Sequence, residues 1–184
     1  YVDIAALATV ADVVPLVDEN RVLVRLGLER INAAPRPGLK ALIEAAGLSD
    51  AALTAGNIGF QLAPRLNAGG RIGSAKRSYD LLAAADPAEA ATIAAELEEE
   101  NRTRRDVEEQ IQLEAEAQLE SFDFPAHRAL VLAGKDWNPG VIGLTASRLV
   151  EKYHYPTILL SERDGVLTGS CRSIPGVDIH AALT

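Results

Sequence analysis

A chain of 184 residues can build one ordinary domain or two small ones. Its 48% hydrophobic and 24% charged residues are the balance of a folded protein and exclude a disordered one. The net charge of −8 does not exclude a polyanionic partner, because residues 96–120 hold ten of the 26 acids and only three of the 18 bases, leaving the rest nearly neutral.

The first element is the apolar run Val2 to Val14, interrupted only by Asp3, Thr9 and Asp12 and closed by Pro15. It reads as a buried helix or a strand–helix unit. Arg21 to Asn32 has the pattern of an amphipathic helix with Val22, Leu26 and Ile31 on one side. Pro35-Arg36-Pro37-Gly38 is expected to be a loop, followed by a short helix from Leu39 to Ala46 that Gly47 ends. Pro64 and the paired glycines Gly69 and Gly70 predict irregular structure over Pro64 to Arg71.

Asp86-Pro87-Ala88-Glu89 combines an N-cap, a proline suited to the first helical position and a reciprocal cap. Nothing breaks the helix until residue 121, which predicts a length of roughly 50 Å. Its apolar residues cluster at the two ends, while Glu98 to Asp106 has none, the pattern of a rod joining two domains. Beyond Pro125 the order is strand (Ala129–Ala133), helix (Gly140–Tyr153), strand (Thr157–Ser161), turn (Asp164-Gly165) and strand (Val166–Cys171).

No secretory leader pattern and no apolar run of membrane-spanning length is seen, and the single Cys171 has no internal disulfide partner. A cytoplasmic setting is expected. The chain contains no Met and starts at Tyr1, so it reads as an excerpt of a longer protein.

Asp12 is the first candidate for chemistry. A carboxylate in an apolar run is costly unless it is paired or holds a cation, and residue type alone leaves capping, ion pairing and metal ligation open. Asp3 has the same choices. Arg65, Asn67 and Arg71, extended by Lys76 and Arg77, could hold phosphate or form a solubilising surface. Ser170 and Arg172, in Thr168-Gly169-Ser170-Cys171-Arg172-Ser173, could surround a phosphate or simply end a strand. Trp137 could stack on a base, but a packing role is favoured. His127, His154 and His180 are too scattered for a metal pair.

These segments coincide in order with those of a known family. Asp3 to Leu16 resembles the fourth motif of DHH-family phosphoesterases, and Pro64 to Arg71 resembles a motif of their RecJ branch. Trp137 to Gly143 and Gly169-Ser170-x-Arg172-Ser173 look like the associated DHHA1 domain. The resemblance implies an α/β chain: the end of a DHH phosphoesterase domain (1–85), a long connecting helix (86–121) and the start of a DHHA1 domain (122–184).

It also implies a 5′-to-3′ exonuclease acting on single-stranded DNA in repair and recombination, with Mn²⁺ or Mg²⁺ in a two-metal site. Asp12 would be one metal ligand, Asn67 and Arg71 would line the DNA path, and Ser170 and Arg172 would hold the terminal phosphate or the strand backbone, with Arg65 a further phosphate-binding candidate from its residue type. Implied partners are a single-strand-binding protein and a helicase, with the enzyme a monomer. Cys171 stands where relatives have glycine, and Asn138 where histidine is common. The alternatives are a DHH–DHHA1 phosphodiesterase acting on oligonucleotides or cyclic dinucleotides, and a non-catalytic relative that binds DNA or a partner.

Overall fold

A computed structural model describes residues 1–184 as an α/β protein made of two compact units, Tyr1–Arg102 and Thr103–Thr184. The first unit is helical. It contains α1 (Val2–Ala11), α2 (Asp18–Ala33), α3 (Pro37–Ala45), the single turn α4 (Ala55–Asn57), a wide π-turn (Ile58–Leu62), α5 (Ala63–Ile72) and α6 (Lys76–Ala83). The opening part of α7 (Pro87–Leu119) completes it.

Apolar side chains from successive helices fuse into one core. Leu7, Ile31, Leu39, Leu42, Leu53, Ile58, Leu62, Leu81 and Leu97 are all buried there. Within this unit Asp3 is buried and takes two hydrogen bonds from Arg36, at 2.8 and 2.9 Å. That guanidinium holds the Asp3 carboxyl below its ordinary value of 3.8. Of the two aspartates in the opening run, Asp3 is therefore the ion-paired one.

The second unit holds the remainder of α7, a 3₁₀ turn (Phe124–Ala126), β1 (Leu130–Lys135), α8 (Ile142–Tyr153), β2 (Thr157–Arg163), β3 (Val166–Arg172) and α9 (Ile179–Leu183). β1 and β2 pair in parallel, with Leu130 opposite Thr157, and α8 makes the crossover that parallel strands require. β2 and β3 form a hairpin with Leu159 opposite Ser170. Its turn residues Asp164 and Gly165 both have positive φ (53° and 75°), which suits the twist of the strands. Alternate residues of β1 and β2 face a core of Leu130, Leu132, Leu159, Ile142, Leu149 and Ile111. Trp137 packs into this core and donates its indole N–H to Glu114 at 2.7 Å, so its role here is packing.

Three expectations need correction. The buried side of α2 carries Val24, Gly27 and Ile31, while Val22 and Leu26 are exposed; two overlapping stripes satisfied a helical period and tertiary packing chose between them. Pro64 to Arg71 is helical rather than irregular. Pro64 directly follows the π-turn Ile58–Leu62, with which α5 is continuous and whose wide bond runs from Ala63 N–H to Ile58 O, and the glycines lie inside the helix. The middle of α7 is not bare either. Asn101, Arg104 and Glu108 are buried, and Glu108 pairs with both Arg104 and Arg148, the latter at 2.8 Å.

Candidate functional site

Asp12 caps the C-terminal end of α1. The chain then turns through a Schellman closure, in which Val13 N–H donates to Val10 O (3.1 Å) and Val14 N–H to Thr9 O (3.2 Å). The left-handed position of this closure usually belongs to glycine, yet here it is Val13, at φ 54° and 86% exposed. A β-branched residue in that region stores roughly 1–3 kcal/mol of strain, a cost tolerated mainly where geometry matters for function.

The charge on Asp12 is also placed against its surroundings. A carboxylate at a helix C-terminus faces the negative end of the helix dipole. No hydrogen bond or ion pair within the chain engages it, and it is exposed. Beside the turn lies an apolar depression of about 360 Å³, lined among others by Val10, Val13, Leu16, Gly59 and Phe60. An uncompensated carboxylate on a strained turn beside apolar surface fits one ligand of a cation. The residues present supply no more than that, since no cluster of three or more His, Cys, Asp or Glu side chains could enclose a metal.

The candidates of α5 divide by face. Asn67 and Arg71 lie one helical turn apart, Asn67 exposed and Arg71 half-buried. Arg65 is buried, ion-paired to Glu98 and donating to Gln61 O, so it cannot serve as an exposed phosphate ligand as expected. Nor do Lys76 and Arg77 extend a positive surface. Lys76 pairs with Asp80 at 2.6 Å, and Arg77 pairs with Glu96 and Glu100. Lys76 is neutralised within α6, four residues away, whereas Arg77 is neutralised by acids of the long helix, a match that sequence spacing does not reveal.

In the second unit, Ser170 and Arg172 emerge from β3 against the first turn of α8. Arg172 is exposed. Its Nε donates to Ser147 Oγ (3.1 Å) and its Nη1 to the Cys171 carbonyl (2.7 Å) and Ser170 Oγ (3.3 Å). Ser147 in turn donates to Gly143 O. A Cβ at Gly143 would lie 2.9 Å from Ser170 Oγ and 3.1 Å from Arg172 Nη2, so glycine lets both side chains close on the helix start without shifting. The result is a hydroxyl- and guanidinium-lined corner beside the positive end of a 12-residue helix, a setting chemically suited to phosphate. Ser147 is the member that sequence reasoning missed; its only signal is the four-residue spacing from Gly143. Asn138 accepts from Gly140 N–H (2.8 Å) and shapes the turn into α8.

No protein-family model matches the chain. Individual relatives do. The single-stranded-DNA-specific exonuclease RecJ of Bacillus subtilis is 42% identical over 99% of this chain, and that of Escherichia coli is 41% identical over 98%. The chain spans only 23% and 32% of those two proteins. Among solved structures, RecJ from Thermus thermophilus in complex with Mg²⁺ superposes at a TM-score of 0.86 and 37% identity over 100% of the chain, which corresponds to 28% of that protein. An exonuclease RecJ bound to manganese superposes at 0.83, again over 100%. The mixed α/β fold with its long helix is thus that of one portion of RecJ. In sequence and in fold, the chain belongs to the RecJ family and matches one segment of its longer members.

Proposed function

We propose that this chain is the part of a single-stranded-DNA exonuclease that contributes one metal ligand and much of the strand-holding surface. The observation that carries the proposal is Asp12: its exposed carboxylate stands at a helix C-terminus with no internal counter-charge, on a turn held in strain by Val13. RecJ structures from the same family hold Mg²⁺ or Mn²⁺, which supports a divalent cation as the missing charge. Such a metal, when bound, would lower the pKa of a water and neutralise phosphate charge.

The chain's own residues do the rest. Asp12 orients the cation through one carboxylate. Asn67 and Arg71 hold the sugar–phosphate backbone from one helix face. Ser170 and Arg172 receive a phosphate in the corner at α8, and a terminal 5′-phosphate there would set a 5′-to-3′ direction. None of these groups reads a base edge, so the strand is held without regard to sequence. A cytoplasmic role in repair and recombination, as a monomer working beside a single-strand-binding protein and a helicase, follows from the same reading. No helix is long and apolar enough to cross a membrane.

The test is Asp12→Ala in the intact enzyme, assayed with Mn²⁺ or Mg²⁺ on a labelled single-stranded oligonucleotide. Cleavage falls below detection while binding of the oligonucleotide, followed by anisotropy, changes less than about threefold, because the phosphate contacts survive. Normal turnover in this variant would remove Asp12 from the metal site.

A further inference from the structure

Glu100 of α7 lies outside the proposed metal- and DNA-holding residues, yet it is unusually constrained. Its side chain is 16% exposed, and its two oxygens face two glycines at the end of α5. A methyl group built on Gly69 would stand 3.1 Å from Oε2, and one on Gly73 3.1 Å from Oε1. Oε1 is ion-paired with Arg77 of α6, which also reaches Glu96 at 2.9 Å. Oε2 is buried and accepts no hydrogen bond. A carboxylate oxygen buried without a donor is costly, so its retention calls for a reason.

The place it presses suggests one. Here α5 ends, with Gly73 N–H donating to Gly69 O at 2.8 Å and the backbone leaving the helix at φ −132°, ψ −114°. Arg71 lies between the two glycines. The start of the same helix is tied to the same rod, through Arg65 and Glu98. Both ends of the helix bearing Asn67 and Arg71 are thus registered against carboxylates of α7.

We infer that Glu100 is a positioning residue for Arg71: seated against Gly69 and Gly73 and tied to Arg77, it sets the direction of the last turn of α5. The inference rests on the strand-holding role proposed for Arg71. A side chain at Gly69 would meet the Ser74 carbonyl at 2.9 Å, and one at Gly73 would press on the Glu100 carboxylate at 3.1 Å.

The experiment uses the intact enzyme with Mn²⁺ and a single-stranded oligonucleotide, comparing Glu100→Ala, Glu100→Gln, Arg71→Ala and the double variant Glu100→Ala/Arg71→Ala. Glu100→Ala raises KM about 5- to 20-fold with kcat changed less than about twofold, because the contact contributes to binding rather than chemistry. Glu100→Gln, which keeps the shape and a hydrogen bond to Arg77, shows a smaller shift and serves if the alanine variant folds poorly. The double variant is no worse than Arg71→Ala, since both changes act through one contact. Independently of catalysis, hydrogen exchange at the Gly73 amide accelerates in Glu100→Ala. Penalties that multiply in the double variant, or unaltered exchange at Gly73, overturn the inference. An unaltered KM in Arg71→Ala overturns instead the role given to Arg71, and with it the functional half of the inference.

Discussion

Replacing Arg172 with alanine isolates the contribution of one guanidinium to the recognition of a terminal phosphate. Three hydrogen bonds, to Ser147, Cys171 and Ser170, already orient this side chain, so little ordering entropy remains to be lost when an anion arrives. A hydrogen bond to a charged group contributes roughly 1.5–3 kcal/mol. Arg172 is exposed, and solvent screening places the effect at the lower end, about 1.5 kcal/mol or roughly tenfold. The assay compares kcat/KM on oligonucleotides that differ only in a 5′-phosphate or a 5′-hydroxyl. The preference for the phosphorylated end should drop about tenfold in Arg172→Ala, and less in Arg172→Lys, which keeps the charge but loses the planar fork. Rising salt should narrow the wild-type preference in the same direction. An unchanged ratio, or equal losses on both substrates, would refute the assignment of this corner to the terminal phosphate.

Two further predictions concern arginine and aspartate pairs. Arg71→Ala should reduce the salt dependence of DNA binding by about one released counterion, whereas Arg65→Ala should lower the melting temperature and leave that slope alone, because Arg65 is buried against Glu98 while Arg71 is partly exposed; equal slopes in the two variants would contradict the division of α5 into two faces. Asp3→Asn should cost roughly 2–3 kcal/mol, below the ~3–5 kcal/mol of a fully buried pair because Arg36 stays 28% exposed. Since Asp3 titrates below 3.8 in the fold, its stabilisation is complete above that pH and fades as the pH falls through the lowered value. Denaturant melts of the two proteins should therefore differ at neutral pH and converge in acid, and a gap that widened in acid would reverse the sign.

Much of the fold was legible because its signals are local. The Asp86 cap is present, with its carboxylate accepting the Glu89 N–H at 3.0 Å. The β–α–β alternation past Pro125 and the Asp164-Gly165 turn were also readable, since each depends on neighbours along the chain. The candidate site was only half legible. Asp12 stood out as a carboxylate in an apolar run, but its place at a helix C-terminus depends on a left-handed Val13 that no pattern announces. Arg65 looked like a phosphate ligand until Glu98, 33 residues away, was found to claim it. Charge pairing between distant elements is a tertiary property, and residue type alone cannot distinguish an arginine facing solvent from one facing a carboxylate.

The hydrogen bond from Trp137 to Glu114 gives the molecule an optical reporter. Trp137 is the sole tryptophan, 4% exposed, and its partner lies on α7 in the same unit. Its emission should be blue-shifted in the native state and move to the red when the indole loses that shelter. Unfolding of residues 103–184 can then be followed by fluorescence without any label, while the first unit, which has no indole, remains dark to the same measurement.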